Sequence, residues 1–175
     1  MKRRHFLGLA LSLAATPTIA RTSPEKSRTI SLRHLHTDER ISLTYRIGDR
    51  YQRPALHKLN WFLRDFRTQD VTVIDPKLFD LVYDINTRLG NPEGTVEILS
   101  AYRSAETNAM LRRTSSGVAR NSLHLTGQAL DIRLGYASTR TICDCAVALS
   151  RGGVGHYPRA DFVHIDTGEV RRWGA

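Results

Sequence analysis

Two segments, residues 122–131 and 161–166, restrict this chain more than any other feature. The first, SLHLTGQALD, sets His124 at the mouth of a loop and Asp131 seven residues later in a strand. The second, DFVHID, supplies His164, and a fold that brings it beside the first closes a set of two histidines and one aspartate. A catalytic zinc takes three protein ligands, nitrogen or oxygen at about 2.0–2.2 Å, and keeps a fourth position open for water. Two His and one Asp meet that count. A metal held this way lowers the pKa of its water towards about 7 and polarises a carbonyl oxygen, the chemistry that amide hydrolysis requires.

Such a site also needs a carboxylate that takes the water's proton and hands it to the leaving amine. Asp161 stands three residues before His164. On a straight strand the two side chains would point to opposite faces, so Asp161 reaches the open side of the metal only where the backbone turns. The Pro158-Arg159-Ala160 stretch just before it makes room for that turn. His156 follows Gly152-Gly153-Val154-Gly155, whose glycines let backbone pass close to a substrate; it is a candidate donor to a developing oxyanion, or an exposed His beside Tyr157. Asp166, two residues past His164, shares its strand face, where it either orients the ligand from behind or ends the strand as a solvated acid.

The rest of the chain reads as scaffold. Ile41, Leu43, Tyr45 and Ile47 alternate with Ser42, Thr44 and Arg46, which marks a half-buried strand, and residues 29–36 pair with it across a Thr37-Asp38 turn. Two amphipathic helices follow. One begins after Pro54 with Leu56, Leu59, Leu63 and Phe66 on one face; the other begins after Asp75-Pro76 with Leu78, Leu81, Val82, Ile85 and Leu89, and stops at Gly90. Trp61, Phe62 and Phe66 read as core-facing scaffold, and His34 and His36 as solvent-facing strand residues. Residues 95–99 form a β-branched strand, and the turn Tyr102-Arg103-Ser104 leads into a helix ending near Arg113. Residues 114–122 form a small, polar loop, while 128–134, 152–157 and 162–167 read as strands. The sum is an α+β chain with a mainly antiparallel sheet and flanking helices.

Cys143 and Cys145 are the only cysteines. They lie in a segment whose Ile142, Ala146 and Leu149 recur at helical spacing after a cap at Ser138. Two residues apart on a helix, they point about 200° away from each other and cannot bridge.

The first twenty residues differ in kind. A basic start at Lys2, Arg3 and Arg4 precedes an apolar stretch, and Thr18 and Ala20 supply the small residues expected before a cut at Arg21, the pattern of a signal peptide. The apolar stretch of about ten residues falls short of the roughly twenty that span a bilayer, so no membrane span is expected after cleavage. Arg3-Arg4 followed by His5, Phe6 and Leu7 resembles a twin-arginine export signal and implies a periplasmic location. Residues 21–28 read as a flexible leader. Residues 29–175 read as one domain, because 175 residues at 41% hydrophobic content support one core. Removing residues 1–20 takes away three positive charges and no negative one, so the formal net charge falls from +9 to +6. An exported basic surface suits an anionic polymer such as peptidoglycan rather than nucleic acid, although its charges are interspersed with acids, as on an ordinary solvated surface.

The pattern Ser122-x-His124, then Gly127-x-Ala129-x-Asp131, then an acid three residues before a His, resembles the zinc D-alanyl-D-alanine metallopeptidase superfamily, which also includes lysostaphin and the hedgehog domain. Within it the chain is most similar to the murein endopeptidases of the periplasm. The similarity runs from about Ser31 onwards, with its specificity concentrated in residues 122–131 and 161–164. The resemblance implies the fold of that superfamily and one zinc held by His124, Asp131 and His164. It further implies Asp161 as general base, and Arg103 as the group that stabilises the oxyanion or grips a substrate carboxylate, with Ser122 also on the substrate side. Where the carboxypeptidase branch has Glu-x-Trp-His, this chain has Asp161-Phe162-Val163-His164, and Phe162 stands where the lysostaphin branch has a helper His. The expected activity is zinc-dependent endopeptidase action on the stem peptides of peptidoglycan. The alternatives are a D,D- or L,D-carboxypeptidase of the same superfamily and a catalytically silent, zinc-containing wall-binding module. Asp161 speaks against the last, because a silent site has no use for a base.

Overall fold

The computed structural model describes residues 26–115 and 117–174; the expected signal peptide, residues 1–20, and most of the expected leader lie outside the described residues. Among the described residues there are eight strands: β1 (Ser27–His34), β2 (Arg40–Ile47), β3 (Arg50–Tyr51), β4 (Thr95–Ser100), β5 (Ala129–Leu134), β6 (Gly153–Tyr157), β7 (Phe162–Asp166) and β8 (Arg171–Gly174). Four helices accompany them: α1 (Arg53–Phe62), α2 (Pro76–Arg88), α3 (Ala105–Thr114) and α4 (Thr139–Leu149). The strands form one sheet in the order β3-β2-β1-β4-β5-β7-β6-β8. The chain combines helices with a sheet as expected, but the sheet is mixed rather than mainly antiparallel. β1 runs parallel to β4, and β6 parallel to β8. Parallel neighbours need a long crossover, and α1 and α2, which lie between β3 and β4 in the chain, supply one.

Local signals fix most of these elements. Asp75 accepts a hydrogen bond from the Lys77 amide and Pro76 opens α2, while Gly90, at φ +77°, ends the turn that follows it. Ser104 and Ser138 cap α3 and α4 by accepting from the Thr107 and Thr141 amides. β3 and β8 escape such reading because two and four residues carry no period.

One face of the sheet is the core. Leu32, Val96, Ile98, Ile132, Val163 and Ile165 lie on it, at most 1% exposed, in one cluster with Leu59, Leu78, Phe79, Ile85 and Ile142 of the helices. Cys143 belongs to this core and Cys145 packs at its margin; both are free thiols.

Four expectations need correction. β1 begins at Ser27, inside the expected leader, because Arg28 is drawn to Asp80 and Asp84 of α2. α1 ends at Phe62, so Leu63 is its C-cap and Phe66 lies beyond the helix. Trp61 is 56% exposed rather than scaffold. His34 is buried rather than solvent-facing, its ring 6.2 Å from that of Phe62 and 5.4 Å from that of Phe66. Burial, aided by neighbouring His36, pushes its pKa down to about 4.

Asp80 ties the first three strands to α2. Its carboxylate accepts from the Tyr45 and Tyr51 hydroxyls at 3.0 and 2.5 Å and from Arg46 at 2.9 Å. Burial alone would raise its pKa, but these bonds outweigh burial and hold it below the usual range. On the other side of the bond, burial and the Asp80 contact raise the Tyr51 hydroxyl to about 12. A carboxylate depressed on folding contributes stability that is present above its unfolded pKa and lost as pH falls through the folded one. Asp80→Ala is therefore expected to lower the unfolding free energy by about 3 kcal/mol in neutral urea titrations, and the gap to wild type is expected to narrow in strong acid.

Candidate active site

Alternation along β5 and β7 turns Asp131 and His164 to the face opposite Ile132 and Val163, and the antiparallel register sets them directly across from one another. His124 comes from a single 3₁₀ turn, Leu123–Thr126, whose entry is capped by the Ser122 hydroxyl and whose exit is Gly127 at φ +68°. A Cβ at Gly127 would also fall 2.4 Å from the Val73 carbonyl oxygen, so this corner requires glycine.

The three side chains converge. His124 Nε2 is 3.3 Å from Asp131 Oδ1 and 3.2 Å from His164 Nδ1, and His164 Nδ1 is 2.8 Å from the same oxygen. Their outer partners assign the tautomers. His124 Nδ1 lies 2.6 Å from the Ala101 carbonyl oxygen; a carbonyl only accepts, so Nδ1 holds the proton and Nε2 presents a bare lone pair. His164 Nε2 lies 3.2 Å from Asp166 Oδ2 and donates to it, so in the neutral ring Nδ1 presents a lone pair and in the charged ring it donates to Asp131. With both rings neutral, two lone pairs and a carboxylate oxygen meet at one point, where either a proton shared by His164 Nδ1 and Asp131 or a cation holds them together. Among the described residues these three form the one group with metal-ligand spacing, their ligand atoms all within 4.8 Å of one another. The donor set, nitrogen and oxygen from three side chains, fits a catalytic zinc.

Electrostatics tie the three side chains together. Burial would raise the Asp131 pKa, but the two histidines outweigh it and hold the carboxylate well below its usual range. Burial pushes His124 down. Burial also disfavours charge on His164, yet the hydrogen bonds to Asp131 and Asp166 win and raise it. Asp166 is fully buried and accepts from the Gly153 and Gly168 amides, both at 2.9 Å, and from Arg171 at 2.6 Å. It is the orienting partner of His164 rather than a solvated strand end.

Arg103 reaches the same place from the turn after β4. Its amide donates to the His124 carbonyl at 3.1 Å, its Nη2 is 3.8 Å from Asp131 Oδ2, and its buried Nε has no hydrogen-bond partner. Asp161 has φ +54°, so the turn anticipated before β7 is present. Its carboxylate is paired with Arg133 at 2.8 Å, two residues along β5 from Asp131 and on the same face. His156 is a different case. It pairs with Val163 in register, so alternation points it to the α4 side, where its Nε2 lies 3.2 Å from the Thr139 hydroxyl. The sheet stands between it and the ligands, and the reading of His156 as an oxyanion donor is withdrawn.

An open groove of about 570 Å³ runs over the site, with Arg103, Ser122, Asp131 and His164 among its lining. Tyr157, Phe162, Arg171 and Trp173 also line it, and sequence reasoning missed them as site residues. The signal available was the aromatic pair Tyr157 and Phe162 flanking the Pro158 turn; Trp173 had none. The orienting role of Asp166 makes a prediction. Asp166→Ala is expected to weaken zinc binding by about 10- to 100-fold in competition with a chelating dye, whereas His164→Ala is expected to abolish stoichiometric binding.

The chain resembles known proteins along nearly its whole length. The family model described as peptidoglycan L,D-endopeptidase MepK matches residues 22–173. A probable peptidoglycan L,D-endopeptidase MepK of Haemophilus influenzae is 40% identical over 168 residues, covering 95% of this chain and 90% of the relative. The peptidoglycan L,D-endopeptidase MepK of Escherichia coli K12 is 41% identical over 167 residues, covering 95% and 91%. No solved structure matches the chain. The resemblance first carried by residues 122–131 and 161–164 is thus extended to the whole domain, and the chain belongs to the peptidoglycan L,D-endopeptidase MepK family.

Proposed function

We propose that this chain is an exported zinc endopeptidase that hydrolyses peptide cross-links of peptidoglycan in the periplasm, with the fold of the zinc D-alanyl-D-alanine peptidase superfamily. The observation that carries the reading is the convergence of His124 Nε2, Asp131 Oδ1 and His164 Nδ1 beneath an open groove. The relatives' name supports the substrate. An L,D designation describes an amide whose carbonyl belongs to an L centre and whose nitrogen sits on a D centre, which fits a cross-link between two diamino acids rather than one that starts at D-alanine. Export through the twin-arginine route, a signal peptide over residues 1–20 and one catalytic domain from residue 29 are parts of the same proposal.

A zinc held by the three ligands would acidify its water and polarise the scissile carbonyl. The protein supplies the rest. Asp161 takes the proton of the attacking water and returns it to the leaving amine; its exposed carboxylate is paired with Arg133 outside the groove lining and leaves that pair to act. Arg103, cationic and largely out of water, offers its guanidinium to the charge that develops on the carbonyl oxygen, where burial makes that attraction stronger than in solvent. Ser122 shapes the ligand turn and borders the groove. Asp166 and the Ala101 carbonyl keep both imidazoles aimed inwards.

Digestion of purified cross-linked muropeptides, with zinc measured on the same samples, tests this. The mature protein is expected to convert dimers to monomers. Asp161→Ala is expected to keep its zinc and lose about 10²- to 10⁴-fold in kcat, and Arg103→Ala about 10²-fold. Bound zinc with every muropeptide unchanged would replace the endopeptidase reading with that of a wall-binding module.

A further inference from the structure

The groove has two unlike walls. One is the 117–123 segment, where Asn121 and Ser122 offer polar groups among Gly117, Val118, Ala119 and Leu123. The other is aromatic: Tyr157 and Phe162 stack at 4.5 Å between centroids, and the Trp173 indole N–H donates to the Tyr157 hydroxyl at 2.8 Å. Trp173 also stands 5.2 Å from the His164 ring, so the wall begins at the metal-ligand set. None of the three aromatics belongs to the buried core; each is half-buried with ring surface turned to the groove.

The wall is built rather than incidental. β8 carries Trp173 alongside β6, opposite Gly155 in register. A Cβ at Gly155 would fall 2.5–2.7 Å from three atoms of the indole, so a glycine there is what lets the ring lie against the sheet beside the site. Arg171 closes the far side, its guanidinium 4.9 Å from the Trp173 ring centre and bonded to buried Asp166.

We infer that Trp173, with Tyr157 and Phe162, forms a subsite that takes the aliphatic side arm of the diamino acid next to the scissile bond, so that β8 sets specificity for that residue. The inference rests on the endopeptidase reading and deepens it. A stem peptide in the groove has two kinds of surface to satisfy. Its backbone amides find hydrogen-bonding partners on the loop side, and a chain of methylene groups finds apolar ring faces on the other. A short side chain such as that of alanine cannot span to the wall and leaves the rings in water.

Calorimetric binding to the zinc-loaded protein tests this without turnover. The probes are two synthetic stem tripeptides, one ending in meso-diaminopimelic acid and one with alanine in its place. Wild type is expected to bind the first about tenfold more tightly, from burial of the methylene arm. Trp173→Ala is expected to bind both alike, and Trp173→Phe to keep most of the preference. Equal zinc content in all three proteins verifies that the ligand set is intact. Should Trp173→Ala fail to fold, Gly155→Ala crowds the same ring and is expected to erode the preference. Equal discrimination by wild type and the wall variants would overturn the inference, as would a wild type that binds neither tripeptide. Digestion of cross-linked dimers decides the endopeptidase reading separately, since cleavage without arm discrimination removes only the subsite.

Discussion

Two imidazole nitrogens and one carboxylate oxygen face each other at 2.8–3.3 Å, and much of the molecule can be understood as what holds that buried polar group together. Left to themselves, such atoms would separate or recruit a proton. They are kept in place because each is fixed from behind: His124 by the Ala101 carbonyl, His164 by Asp166, and Asp131 by its position across β7 in the sheet register. Three donor atoms held this close by the fold have the spacing that a metal site needs. His124, Asp131 and His164 sit on strands and one capped turn, not on a long loop, which limits their movement.

The same logic explains the layering of the sheet. Its helix-facing side carries the apolar core, and its other side carries the chemistry. Residue parity therefore decides function: Asp131, His164 and Asp166 fall on one side, while Ile132, Val163 and His156 fall on the other. A one-residue slip of β7 against β5 would send the ligand to the wrong side. The buried Asp166 makes such a slip costly, because it is bonded to two backbone amides, to Arg171 and to His164 at once.

How much of this could be read in the chain varies with the range of the interaction. α2 was legible because its signals are local: Asp75, Pro76 and Gly90 are a start and a stop. The grouping of His124, Asp131 and His164 was legible because glycine and alanine at fixed offsets around His124 and Asp131 make a rare pattern. His156 was misread because which face it occupies depends on its pairing with Val163, a contact that its own glycine-rich segment does not encode. His34 was misread for a similar reason: Phe66, beyond the end of α1, returns to cover it. β8 was invisible since Arg171, Arg172, Trp173 and Gly174 show no alternation, and it is a strand only by virtue of the edge that β6 offers.

X-ray absorption at the zinc edge of the purified mature protein tests the central claim most directly. The account predicts one zinc per chain in a shell of nitrogen and oxygen only, at about 2.0–2.2 Å, with two imidazoles, one carboxylate and one exchangeable light ligand. A shell containing sulfur at about 2.3 Å, or a protein that stays free of metal after incubation with excess zinc, would contradict it.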